Sequence, residues 1–175
     1  SLDLSDTNNE DNEDGMSGNL SSFAVDAAGN LYVSDYNNIY VLDAEGNVQF
    51  KLDGSQYNGS LCRLNAQQVG VMWYNYTDDV NAADENGQYF VPIDLETKDW
   101  GEKVKLPSNV GSIFPGDDAY DFYYAYNNNI YGYTAKTDTK DKLVDWLACD
   151  VDTNNMNGYA MLSDSRVAAL MQDWS

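Results

Sequence analysis

The residues of this chain best equipped for chemistry are oxygen donors. Asp150-x-Asp152-x-Asn154 places carboxylate and amide oxygens at alternate positions, as calcium-binding loops do. Glu10-x-Asn12-x-Asp14-Gly15 repeats the theme and adds the glycine that lets such a loop turn. Neither completes the pattern. The position where a bidentate Glu should close the coordination shell is Met161 in the first and Ser21 in the second. In the first, Asn155 stands where Gly is needed, and the second begins on Glu where Asp is required. They read as an Asp/Asn-rich connection between strands and as a surface loop, so no metal ligand is assigned. The pairs Asp78/Asp79 and Asp117/Asp118 supply two neighbouring carboxylates each, and glycoside hydrolysis needs two acids about 5–10 Å apart. With 29 acidic residues such neighbours arise by chance, and surface turns account for them.

Other mechanisms fail for want of parts. The chain has no His, which excludes Ser-His-Asp and Cys-His nucleophiles and zinc sites built on imidazole. Its two cysteines, Cys62 and Cys149, cannot make a four-thiolate centre; both sit beside apolar residues and read as buried free thiols. A disulfide between them would need Cα atoms within about 7 Å. No G-x-x-x-x-G-K-[ST] or G-x-G-x-x-G cradle for phosphate occurs. No catalytic and no cofactor-binding residue is assigned. A net charge of −20 repels nucleic acid and anionic membranes, and the nine Lys and Arg residues form no basic patch. No signal peptide or membrane span is recognisable, and the abrupt opening on Ser1-Leu2-Asp3-Leu4 is what a chain trimmed of its leader would show. Sequons at Asn19, Asn58 and Asn75 are explained by the abundance of Asn.

The aromatic residues offer a different chemistry, stacking on sugars. Trp73-Tyr74-Asn75-Tyr76 and the cluster Tyr120, Phe122, Tyr123, Tyr124, Tyr126 both fall in segments with aromatics on either face. Packing between sheets is the simpler account of them.

Whatever these residues do, strands must position them. Abundant Tyr and Trp and turn residues throughout mark an all-β composition. The clearest unit runs from Phe23 to Leu52. Phe23–Val25, Leu31–Val33 and Ile39–Leu42 are apolar on both faces, which predicts strands covered on both sides. Val48–Leu52 alternates, placing Val48, Phe50 and Leu52 on one face of an outer edge strand. The turns Asp26-Ala27-Ala28-Gly29-Asn30 and Asp43-Ala44-Glu45-Gly46-Asn47 share the form D-A-x-G-N, in which Asp caps the backbone and Gly takes positive φ. Tyr36-Asn37-Asn38 makes the middle turn.

This unit recurs. Tyr36-Asn37-Asn38-Ile39-Tyr40 is echoed by Tyr126-Asn127-Asn128-Asn129-Ile130-Tyr131, with the leading tyrosines 90 residues apart. Two repeats of about 45 residues match the period of propeller blades. The expected fold is therefore all-β, a β-propeller or a fragment of one, with about three and a half four-stranded blades. An acidic, Asn-rich lead-in occupies 1–22, and the blades span approximately 23–54, 61–107, 110–148 and, incompletely, 157–175. Within the second blade the expected strands are 61–64, 69–76, 89–95 and 103–106, with Pro92 tolerable only where its missing N–H is not needed. In the third they are 110–114, 119–126, 129–134 and 142–147. In the fourth, 157–162 and 166–171 are read as strands, although Ala, Leu and Met at 168–171 would also suit a helix.

Asp26-Ala27-Ala28-Gly29-Asn30-Leu31-Tyr32-Val33-Ser34-Asp35, continuing through Ile39–Asp43, resembles the blade signature of NHL-type six-bladed propellers, without their usual Arg after Asn-Asn. Leu143–Leu147, Asp150-Val151-Asp152 and Leu162–Arg166 also resemble the propeller region of extracellular solute-binding lipoproteins of gut Firmicutes. That resemblance implies a non-catalytic, extracellular or cell-surface bacterial binding scaffold, associated with solute uptake. It would present blade-end loops to a protein or saccharide partner, with no nucleic-acid role and no membrane insertion from this chain. The alternative is a fragment of a lactonase-like or glycan-lyase propeller enzyme with a metal near its channel.

Overall fold

A computed structural model of the chain describes residues 20–35, 37–127, 129–146, 156–161 and 167–171. Residues 1–19 of the acidic lead-in, Asp150 to Asn155, Cys149, Tyr36 and Asn128 lie outside them. The described residues form four antiparallel sheets, each a meander in chain order apart from one split edge, and contain no α-helix. The chain divides into two compact units at Ser108/Asn109.

In the first unit, sheet 1 is β1 (Leu20–Val25), β2 (Leu31–Asp35), β3 (Asn38–Leu42) and β4 (Val48–Asp53), in that order. The two D-A-x-G-N turns close alike. Asp26 Oδ1 accepts from the Ala28 and Asn30 N–H groups, Asp43 Oδ1 from those of Glu45 and Asn47, and Gly29 and Gly46 sit at φ 91° and 85°. β2 and β3 are covered on both faces, as their composition predicts: Tyr32, Ile39 and Val41 on one, Val33, Tyr40 and Leu42 on the other.

Two expectations for this sheet are corrected. β1 begins at Leu20, inside the expected lead-in, and only one of its faces is buried: Phe23 is 73% exposed. A bulge in β4 sets Val48 opposite Leu42 and Phe50 opposite Val41. The extra residue reverses the face, so Val48 shares the exposed side with Phe23 while Leu52 stays in the core. Strict alternation in sequence cannot register a bulge.

Sheet 2 contains β5 (Ser60–Arg63), β6 (Val69–Asn75) and β7 (Gly87–Asp94), flanked by β8 (Asp99–Trp100) and β9 (Val104–Lys105). The expected fourth strand at 103–106 is present as β9, and β8 is a further short piece ahead of it; both pair with β7. Pro92 explains the break between the two. β9 meets Tyr89 and Phe90, β8 meets Ile93 and Asp94, and the residue without an N–H falls between them. Leu61, Val69, Val71, Tyr89, Val91 and Ile93 of this sheet pack against Ala24, Tyr32, Ile39, Val41 and Leu52 of sheet 1 in one core. Trp73 and Trp100 pack on its margin, so Trp73 is a packing residue, whereas Tyr74 and Tyr76 are exposed.

In the second unit, sheet 3 is β10 (Ser112–Pro115), β11 (Phe122–Tyr126), β12 (Asn129–Thr134) and β13 (Thr139–Val144). The closing strand starts earlier than expected and β11 later. Tyr120 precedes it, in a turn capped by Asp117 Oδ1, which accepts from the Ala119 and Tyr120 N–H groups. Asn127 takes φ 47°, the left-handed conformation that Asn tolerates. β14 (Met156–Met161) and β15 (Val167–Met171) pair as sheet 4, so strand prevails over helix there. Val167 packs against the Ala125, Ile130 and Trp146 face of sheet 3.

Candidate functional site

The acidic residues proposed for chemistry are mostly consumed by turns. Asp79 accepts from Asn81, and Asp78 from the Tyr76 hydroxyl at 2.6 Å. Asp117 caps its own turn and accepts from the Tyr123 hydroxyl. Among the described residues, no three Asp, Glu or Cys side chains are grouped as a metal site would require. Cys62, partly buried in β5, carries a free thiol, and desolvation pushes its pKa up to about 12 against a hydrogen bond involving the Met72 backbone. A thiol so held is a poor nucleophile.

What the strands do build is a groove in the first unit, of about 310 Å³, at the end where sheet 1 passes to sheet 2. Its rim comes from four places in the chain: Ser21 and Ser22 of β1, Ser34 and Asp35 at the end of β2, Ile39 of β3, and the crossing from Gly54 to Ser60. The crossing is fixed locally. Asp53 Oδ1 accepts from the Ser55 N–H at 2.9 Å and from its hydroxyl at 2.6 Å, starting a single 3-10 turn over Gly54–Tyr57. The Gly54 N–H donates to the Asn37 carbonyl at 2.8 Å, tying the crossing to the β2–β3 turn. Asp35, 3% exposed, organises that turn by accepting from the Asn37 and Asn38 N–H groups at 2.9 and 2.7 Å.

The serines join the sheets. The Ser22 hydroxyl accepts from the Leu61 N–H at 3.2 Å, Ser21 donates to the Ser34 carbonyl at 3.2 Å, and Ser34 donates to the Asp35 carbonyl at 2.9 Å. Gly59 is dictated by contact, since a Cβ there would stand 2.2 Å from the Met72 carbonyl oxygen. Tyr57 lies on the groove with its ring set edge-on to Trp73 at 5.1 Å and to Trp100 at 5.0 Å. The wall is thus polar and braced from behind by the core.

Chemically the groove offers serine hydroxyls, the Asn58 amide and one aromatic ring, with the Asp35 carboxylate buried behind them. No protein family, no curated protein and no solved structure matches this chain. Of the groove residues, Asn58 enters the sequence reading as a sequon, Ser21 as the unfilled twelfth position of an incomplete loop, and Ser34, Asp35 and Ile39 as parts of the blade pattern. The run of small residues Gly54-Ser55 and Asn58-Gly59-Ser60 is the signal that could have marked the groove. Of the residues singled out in the sequence, Asp117, Tyr120 and Tyr123 come together, whereas Trp73 packs on the margin of a core, Phe122 is buried, Tyr74 and Tyr76 are on the surface, and Asp78 and Asp79 stand by a turn.

Proposed function

We propose that this chain is a propeller fragment acting as a non-catalytic binding scaffold, and that the groove between sheets 1 and 2 receives a saccharide. Consecutive antiparallel meanders packed face to face support the propeller reading. The groove carries the functional one. Its serine hydroxyls and the Asn58 amide line an opening fixed by backbone hydrogen bonds, and they complement a ligand rich in hydroxyls. Tyr57 supplies an aromatic surface for the apolar side of a sugar ring. An extracellular bacterial setting, within a solute-binding lipoprotein, follows from the sequence resemblance and is proposed on that ground alone.

The test is a thermal-melt and titration screen against mono- and oligosaccharides, with Asn58→Ala and Tyr57→Ala as paired variants. A saccharide that raises the Tm of the parent chain and loses affinity about tenfold in either variant supports the assignment. Saccharides that bind both variants as tightly as the parent refute the groove. A Tm shift of several degrees at sub-millimolar calcium would instead favour the propeller-enzyme reading. The coding sequence on either side tests the lipoprotein setting, through a lipobox upstream and a two-lobed α/β module downstream.

A further inference from the structure

A second hollow lies wholly within the second unit and has a different chemistry. It measures about 290 Å³ and is lined by Asp117, Tyr120, Tyr123, Ile130, Leu143 and Val144, with Val167 of β15 also bordering it. The tyrosine rings meet edge to face at 5.4 Å. Tyr120 is placed by a missing side chain: a Cβ on Gly132 would stand 2.6 Å from its ring, so the ring lies flat on the bare backbone of β12. Each phenol donates to a carboxylate, Tyr123 to Asp117 Oδ2 and Tyr120 to Asp141 Oδ2 at 3.2 Å. Donation to an anion makes a phenol ring richer in electrons, which strengthens its attraction for a cation at its face. No Lys or Arg lines this hollow among the described residues. Lys142, beside Leu143 in sequence, is engaged by Asp145 at 3.0 Å, and Arg166, beside Val167, lies outside the described residues.

We propose that this hollow binds an organic cation, an alkylammonium group whose charge rests among Tyr120, Tyr123 and Asp117 while its alkyl part lies along Leu143 and Val144. A hydroxyl-rich ligand finds little to bond there, since both phenol protons and the Asp117 oxygens already have partners. An inorganic cation gains nothing from the aliphatic wall. A small ammonium compound satisfies the ring faces, the carboxylate and the wall together, and so does a lysine side chain presented by a peptide. The net charge of −20 concentrates either one near the surface.

The experiment is an NMR titration of the full chain, following the ring signals of Tyr120 and Tyr123 and the methyls of Leu143 at constant ionic strength. Choline, N-acetyl-lysine methylamide, the neutral choline isostere 3,3-dimethylbutanol and potassium chloride are the probes. Saturable shifts with choline or the lysine amide, at least about tenfold tighter than with the neutral isostere, support the proposal. The stronger of those two probes identifies a free ammonium compound or a peptide as the source. Asp117→Asn keeps the oxygen that caps the turn and removes the charge; it should weaken binding several-fold with the fold retained. Tyr120→Leu should weaken it further, while Tyr120→Phe, which keeps the ring, should retain most of it. Equal response to 3,3-dimethylbutanol, equal response to potassium chloride, or unchanged binding in both Asp117→Asn and Tyr120→Leu would overturn the proposal.

Discussion

Asp26 and Asp43 allow a controlled measurement, because the same five-residue turn occurs twice in sheet 1 at different depths. Each carboxylate accepts two backbone N–H groups and the amide of the Asn four residues on. Only Asp26 also accepts from a buried hydroxyl, that of Tyr32 at 3.1 Å, and Tyr32 is 1% exposed. Replacing Asp26 with Ala removes that acceptor inside the core, and a buried hydroxyl deprived of its partner costs about 1–3 kcal/mol. The freed turn N–H groups add roughly 1 kcal/mol, since water can reach them in part. The expected loss for Asp26→Ala is therefore about 2–4 kcal/mol, or roughly 4–16 °C in Tm for a chain of this size. Asp43→Ala removes only exposed bonds and should lose clearly less. In a Tyr32→Phe background the Asp26→Ala loss should shrink by about 1–3 kcal/mol, the part due to the orphaned hydroxyl.

The pH dependence has a definite sign. Burial raises the Asp26 carboxyl, but the hydrogen bonds from Asn30, Tyr32 and Ala28 outweigh it and hold the carboxyl below its ordinary value. A carboxyl depressed in the folded state contributes stability above its unfolded pKa and loses it as pH falls through the folded one. The gap between the parent chain and Asp26→Ala should thus narrow below about pH 4. Urea unfolding followed by circular dichroism, at pH 7 and in steps down to pH 3, reads both effects. Equal losses for the two Ala variants, or no coupling with Tyr32→Phe, would refute the reasoning.

Gly70 and Gly46 make a second contrast. A Cβ on Gly70 would lie 2.1 Å from the Val91 carbonyl oxygen, whereas one on Gly46 meets nothing within 4 Å but must hold φ 85°. Gly70→Ala should cost at least about 3 kcal/mol by prying β6 from β7, against about 1 kcal/mol for Gly46→Ala from backbone strain alone; denaturant midpoints separate them. The Cys62 thiol, pushed up to about 12, should resist an aromatic disulfide reagent at pH 8 in the folded chain and react fully in urea. Stoichiometric reaction within seconds in the folded state would contradict its burial.

The local signals in this sequence carried far. D-A-x-G-N contains all the turn needs, a side-chain acceptor, a residue free to take positive φ and a second amide, so both hairpins were readable from five residues each. Val167 to Met171 was readable as strand because its neighbour supplied a repeat context that outweighed helix propensity. Registry was not readable. The bulge opposite Val41 and Leu42 depends on how β4 settles against β3, and it moved Val48 to the exposed face. The groove was invisible for a related reason. Its residues are common serines, glycines and asparagines, separated by up to 39 positions, and they acquire meaning only when Ser22 meets Leu61. Residues that looked chemically pointed, such as Asp117, carry most of their duty in the turn they cap.

Pro92 has a consequence for how this protein behaves at high concentration. An open strand edge is a template onto which another molecule can hydrogen-bond, and fibrous aggregates grow by repeating that step. The outer side of β7 is taken up by β9 at one end and β8 at the other, and the position between them has no N–H to offer an incoming strand. The Pro92 carbonyl is likewise occupied, accepting from the Gly101 N–H at 2.8 Å. A foreign strand arriving along β7 therefore finds no uninterrupted run of free groups, and this edge of sheet 2 is closed to edge-on growth without needing a charged border.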